Sequence, residues 1–204
     1  MERLIEGYKR FLTEVFPERK NYFHLLAEGQ APKYLFITCA DSRVSPEMVF
    51  GIEPGNMAIA RSLGSMVPPA GSENNGITAT IEYAVEILGV RHAIIFCHSN
   101  CGSVRSALAP GGLKKLPYAQ KWMEYVRTAA NYRQPLDPND GKNAELNALA
   151  KGNVLAQLAN LRTQPSVAKA LTEGRLNVHG WYYDIESGRV ERYDEAQKRF
   201  VPLV

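Results

Sequence analysis

The chain has 204 residues, 45% of them hydrophobic and 22% charged, with three cysteines and a net charge of +3. That composition supplies one sizeable core and excludes wholesale disorder and a disulfide-stapled scaffold. The charge is too weak to argue for nucleic acid or a membrane surface as partner, and no apolar run reaches the ~18 residues of a membrane span.

The segment Met1–Arg10 is charged every few residues, unlike a secretory leader, so a cytoplasmic protein with reduced thiols is expected. Leu4, Ile5, Tyr8, Phe11, Leu12 and Val15 recur at helical spacing. Pro17 is expected to stop that helix, and a second one is expected from Glu18 to Ala27, ended by Gly29. Tyr34–Cys39 is a continuous apolar run, suited to a strand buried on both faces, and Met57–Ala60 is a weaker strand. Asn75–Leu88 predicts a helix with Ile77, Ile81, Val85 and Leu88 on one side. His92–Cys97 is another buried strand, followed by a helix from about Cys101 to Leu108. Pro110-Gly111-Gly112 breaks the pattern. Helices are expected at about Tyr118–Asn131, Asn143–Thr163 and Ser166–Glu173. Leu176–Ile185 and Arg189–Tyr193 read as strands joined at Glu186-Ser187-Gly188. This alternation predicts an α/β fold with a parallel sheet, as one domain over residues 1–204.

Two clusters follow buried strands: Cys39-Ala40-Asp41-Ser42-Arg43 and His98-Ser99-Asn100-Cys101-Gly102. Sites in open α/β sheets gather at the carboxyl ends of strands, so both clusters should share one rim. Cys39, His98 and Cys101 form a plausible three-ligand zinc set with a fourth position left for water. Two buried thiols beside a hydrogen-bonded histidine would give the same spacing. Strand alternation turns Cys97 away from His98 and into the core. Arg43 can hold Asp41 ionised and oriented to accept a hydrogen bond from water on the metal, although a plain ion pair shaping the turn is the alternative. Thiolate ligands should weaken the metal's acidifying effect on water, so activity is expected to rise on the alkaline side of neutral. His24, His92 and His179 read as surface or structural residues.

At these residues the chain resembles the β-class carbonic anhydrases. The likeness extends to Gly29-Gln30, Pro32-Lys33-Tyr34, Glu53-Pro54-Gly55, Ile81-Glu82-Tyr83-Ala84-Val85, Asn153–Leu158 and His179-Gly180-Trp181 with Tyr183-Asp184. Bacterial members linked to cyanate use look nearest. The resemblance implies one Zn²⁺ per chain on Cys39, His98 and Cys101, with Asp41 receiving a hydrogen bond from the zinc-bound hydroxide and Arg43 orienting Asp41. It implies that Gln30, which matches the plant-like branch, donates to substrate and leaves the zinc open. Gly102 would hold the bound oxygen through its N–H, and Tyr83 would line the pocket. It also implies a mostly parallel four-stranded sheet flanked by helices, with an added edge strand, a C-terminal hairpin and an N-terminal helical arm. That arm, residues 1–28, would pack on a partner, and Gln30 and Tyr83 would reach the partner's metal, so a homodimer or higher homo-oligomer is expected. Three departures stand out: Arg61-Ser62-Leu63-Gly64 for Arg-Asn-Ala-Gly, Ala58 for a phenylalanine, and Cys97 for a glycine. Ala58 would widen the apolar pocket unless Leu63 refills it.

The implied activity is reversible hydration of carbon dioxide to bicarbonate and a proton. One alternative is hydrolysis of carbonyl sulfide or carbon disulfide at the same zinc. Another is a non-catalytic bicarbonate-binding or structural zinc protein, which a fourth protein ligand would favour.

Overall fold

The computed structural model describes residues 1–73, 75–109, 113 and 115–204. The expected break at Pro110-Gly111-Gly112 lies outside the described residues. The chain opens with α1 (Glu2–Arg10), a wide five-residue helical turn (Phe11–Val15), α2 (Phe16–Glu18) and α3 (Lys20–Glu28). Pro17 does not stop the helix. It falls in the first turn after the wide turn, where its missing N–H costs little, and the break comes at Arg19 (φ −116°, ψ 20°).

Next come β1 (Tyr34–Cys39), α4 (Pro46–Phe50), β2 (Met57–Ser62), α5 (Gly76–Glu86), β3 (His92–His98) and α6 (Gly102–Leu108). Asn75 caps α5, its side chain accepting from the N–H groups of Ile77 and Thr78 at 3.1 Å each. The helix expected over Tyr118–Asn131 is instead α7 (Pro117–Trp122), α8 (Glu124–Arg127) and a tighter turn through Thr128–Tyr132. These pieces wrap closely against α9 (Ala144–Thr163), where a Cβ on Gly152 would stand 2.8 Å from the Ala129 carbonyl. α10 (Pro165–Thr172), β4 (Asn177–Tyr183), β5 (Val190–Asp194) and β6 (Arg199–Pro202) complete the chain. Among the described residues, no helix is long and apolar enough to cross a membrane.

The sheet order is β2-β1-β3-β4-β5-β6. The first four strands are parallel, and β5 and β6 add antiparallel at one edge. The fold class therefore matches expectation. The last strand, β6, has only four residues and no apolar run to announce it.

The two faces are finished differently. Leu35, Ile37, Ile95 and Cys97 face a dry core closed by α5, α9 and α10. Phe36, Ile94 and Phe96 point the other way, where α4 supplies Val49 and Phe50 while Tyr34, Ile59 and Trp181 stay half-buried. No residue of α1, α2 or α3 is buried, and Leu4, Ile5, Tyr8, Leu12 and Val15 are exposed.

Candidate metal centre

β1 ends at Cys39 and β3 at His98, and their parallel pairing brings both ends to one rim. Cys101 lies three residues beyond His98 as the residue capping α6, reached through Asn100 in a left-handed conformation (φ 52°). The ligand atoms of Cys39, His98 and Cys101 lie within 4.8 Å of one another, and all three residues are buried. The two sulfurs are 4.0 Å apart. Two thiolates on one tetrahedral zinc at ~2.3 Å each would stand about 3.8 Å apart.

His98 is wholly buried, with Nδ1 bonded to the carbonyl of Ser99 at 2.9 Å. That carbonyl fixes the proton on Nδ1 and leaves Nε2 as a lone-pair donor. Nε2 is buried and has no hydrogen-bond partner. An orphaned ring nitrogen beside two thiols is costly to bury unless a cation completes it, so the donor set fits one metal ion.

The two sulfurs titrate as a pair. The hydrogen bond between them pulls Cys39 down, while Cys39 and burial push Cys101 up. A cation bound by both sulfurs would favour the thiolate form of each. Cys97 packs in the core on the opposite face from His98, and burial pushes its thiol up to about 12. It is a core residue, on the side that alternation predicts.

Asp41 stands over the ligands with Oδ2 3.8 Å from His98 Nε2. Arg43 grips both carboxylate oxygens, Nε to Oδ1 at 2.9 Å and Nη2 to Oδ2 at 2.7 Å. The Arg43 guanidinium holds the Asp41 carboxyl well below the usual carboxylate range. Arg43 is itself anchored by the Asn100 carbonyl at 3.1 Å. Arg61, to which the sequence assigned no role, donates to the carbonyls of Cys39 and Val44 at 3.0 Å each and so braces the whole loop.

A cavity of about 340 Å³ opens beside Cys39, lined also by Asp41 and Gly102 with an apolar wall of Leu63, Leu113, Leu116 and Met123. The structure thus brings Leu63 and Gly102 to Cys39, Asp41, His98 and Cys101. Ala58 does not line this cavity and packs at the margin of the core instead. Gln30 is exposed in the loop after α3, and Tyr83 is exposed on α5. His92 and His179 pair at 3.1 Å at the far end of the sheet, and His24 is exposed beside Glu28.

Sequence reasoning missed Trp122 and Asn153, which donate to the backbone carbonyls of Leu63 and Gly64. A signal for Asn153 existed. Asn153, Gln157, Asn160 and Gln164 form a polar stripe at helical spacing through an otherwise largely apolar helix. Trp122 offered none.

A sequence profile described as carbonic anhydrase matches residues 34–190. A carbonic anhydrase of Pseudomonas aeruginosa is 44% identical over 203 residues, covering 100% of this chain and 92% of the relative. The solved structure of the β-carbonic anhydrase CcaA superposes with a TM-score of 0.92 at 34% identity, covering 99% and 98% of the two chains. Two tetrameric β-carbonic anhydrases from Sordaria macrospora are represented by a match at TM-score 0.81 and 30% identity, over 94% and 95%. Likeness in sequence and in fold therefore runs through nearly the whole chain, and the chain belongs to the β-class carbonic anhydrases.

Proposed function

We propose that this protein catalyses reversible hydration of carbon dioxide to bicarbonate and a proton, with Zn²⁺ held by Cys39, His98 and Cys101. The observation that carries the reading is the Arg43-held Asp41 carboxylate, 3.8 Å from the orphaned His98 Nε2 and facing an apolar cavity. Zinc supplies the Lewis acidity that makes water a nucleophile near neutral pH. The apolar wall of Leu63, Leu116 and Met123 holds a linear, uncharged substrate without competing for the water. Asp41 stays ionised and accepts a hydrogen bond, which aims the attacking lone pair at the substrate carbon. Arg43 occupies the carboxylate from the other side, so Asp41 cannot turn freely toward the ligands. The three-ligand cluster does not include Asp41. That supports an open site, and it weighs against a storage or structural metal closed by a fourth ligand.

The exposed arm residues and the half-bare aromatic face support a homodimer or higher homo-oligomer, in which Gln30 and Tyr83 serve the partner's site and residues 1–28 pack on the partner. Gln30 supports the plant-like branch, near bacterial members linked to cyanate use. Three unpaired thiols support a reducing, cytoplasmic setting.

Stopped-flow hydration by the purified protein tests the reading. Zinc-dependent turnover, reduced sharply in Asp41→Ala, is expected, and its absence would end the proposal. The same apolar wall suits carbonyl sulfide, and hydrogen sulfide release measured beside carbon dioxide turnover ranks the two substrates.

A further inference from the structure

The sulfur of Cys39 accepts a hydrogen bond from the backbone N–H of Gly64 at 3.3 Å. That N–H belongs to the Leu63–Gly64 peptide, and two side chains grip the backbone around it. Trp122 Nε1 donates to the Leu63 carbonyl at 3.1 Å, at the opposite end of the same peptide. Asn153 Nδ2 donates to the Gly64 carbonyl at 2.8 Å. Asn153 is in turn held by Gln157, whose Nε2 reaches its Oδ1 at 2.9 Å while its Oε1 accepts from Val67 N–H at 2.8 Å. Asn153 and Gln157 are both fully buried. The turn needs holding, since Gly64 (φ 71°) and Ser65 (φ 58°) both lie in the left-handed region.

We propose that Trp122 and Asn153 are positioning residues for the metal ligand Cys39, acting through the Leu63–Gly64 peptide. Trp122 polarises that peptide from its carbonyl end, which strengthens the N–H aimed at sulfur. Asn153 sets the rotation of the following peptide, and so the direction in which the N–H points. A hydrogen bond to a thiolate draws charge from sulfur, so the pair tunes how strongly Cys39 donates to the metal. The inference rests on the metal reading above.

Trp122→Phe keeps an aromatic ring but loses the donor and part of the indole's packing volume, and Asn153→Ala removes the second grip. Gln164→Ala is the control. It loses a comparable buried amide bond, to the Pro68 carbonyl at 2.7 Å, that does not act on the Leu63–Gly64 peptide. Two readouts are followed: zinc loss to a chelator, and the sulfur-to-metal charge-transfer band of the Co²⁺ protein. Trp122→Phe and Asn153→Ala are expected to speed zinc loss on the order of 10-fold and to move the band to lower energy. Gln164→Ala should lower thermal stability and leave both readouts unchanged. In wild-type protein loaded with cadmium-113, a coupling between the metal and the Gly64 amide proton is expected, whether or not a variant folds. No such coupling, or Trp122→Phe matching wild type in both readouts, overturns the proposal. Wild-type protein that binds no metal through Cys39 is seen before any variant is made, and it removes the metal reading and this inference together.

Discussion

The metal rim and the arm-bearing face differ in how complete one chain leaves them. At the rim, three ligand atoms converge within 4.8 Å, Asp41 is locked by Arg43, and Arg61 braces the loop from below. Elsewhere, three helices contain no fully buried residue and a sheet face ends in half-exposed aromatics. The rim is preorganised by local backbone geometry and short hydrogen bonds. The arm and the bare face leave apolar surface that a covering surface would stabilise. On the proposed reading, the chemistry is written into one chain and a partner completes the walls around it.

The sharpest break is at the rim. Cys101→Ala removes one of three ligands and leaves His98 Nε2 without a complete site. Stoichiometric zinc should be lost on gel filtration, and hydration should fall by far more than the ~10–100-fold that loss of an outer partner costs. Metal content by atomic absorption, read beside turnover, checks both. Retained zinc at one per chain would mean that the rim is not the metal site.

Asp41→Ala should keep zinc and lose on the order of 10² in rate, the usual contribution of a positioned proton acceptor. The pH profile adds a sign. Asp41 is depressed by Arg43, so its charged form is lost only as pH falls through that lowered value. From pH 6 to 9 it stays ionised in the folded protein. The variant should therefore lower the whole profile while leaving the expected alkaline rise where it is. Should the rise disappear in the variant, the acidic group behind it is Asp41. The same ion pair contributes stability above the ordinary carboxylate range, and that stability should fade as pH drops below it.

The arm gives the next effect. Leu4→Glu with Leu12→Glu places two charges on the exposed apolar stripe. Sedimentation should show a smaller particle that still binds zinc through Cys39, His98 and Cys101. Turnover should fall by roughly 10-fold, the scale of one lost positioned group. A monomer with full activity would break the idea that Gln30 and Tyr83 complete a partner's site.

Much of the rim is legible in sequence because metal chemistry restricts which residues can appear. Cys39, Asp41 and Arg43, then His98 and Cys101, fit a metal rim, although buried thiols and a plain ion pair fit the same spacing until the wider likeness is added. The parallel strands are legible because burial on both faces forces unbroken apolar runs, as in Ile94-Ile95-Phe96. The region after α6 is less so. Its short turns depend on close packing against Gly152, a feature of tertiary shape with no local period. Trp122 is invisible as a site residue for another reason, and Asn153 shows only as part of a polar stripe on α9. Both bond to the backbone of Leu63 and Gly64, and a backbone link imposes no pattern on the sequence between.

The smallest effect tests the contrast between the sheet faces within one strand. Gly180 and Trp181 are consecutive in β4, so they point to opposite faces. A Cβ on Gly180 would meet Leu158 Cδ1 and Val154 Cγ1 at 2.6 Å each, because α9 presses directly on the strand there. α9 cannot simply retreat, since Asn153 and Gln157 tie it to the turn beneath Cys39. Gly180→Ala should therefore cost about 1–3 kcal/mol through overpacking, read as a lower urea midpoint with the particle mass unchanged. Trp181→Glu, on the bare face, should do the reverse and weaken association more than it weakens the subunit. If Gly180→Ala instead lowered the particle mass, the covered face would also take part in assembly, and the division between a finished face and an unfinished one would fail.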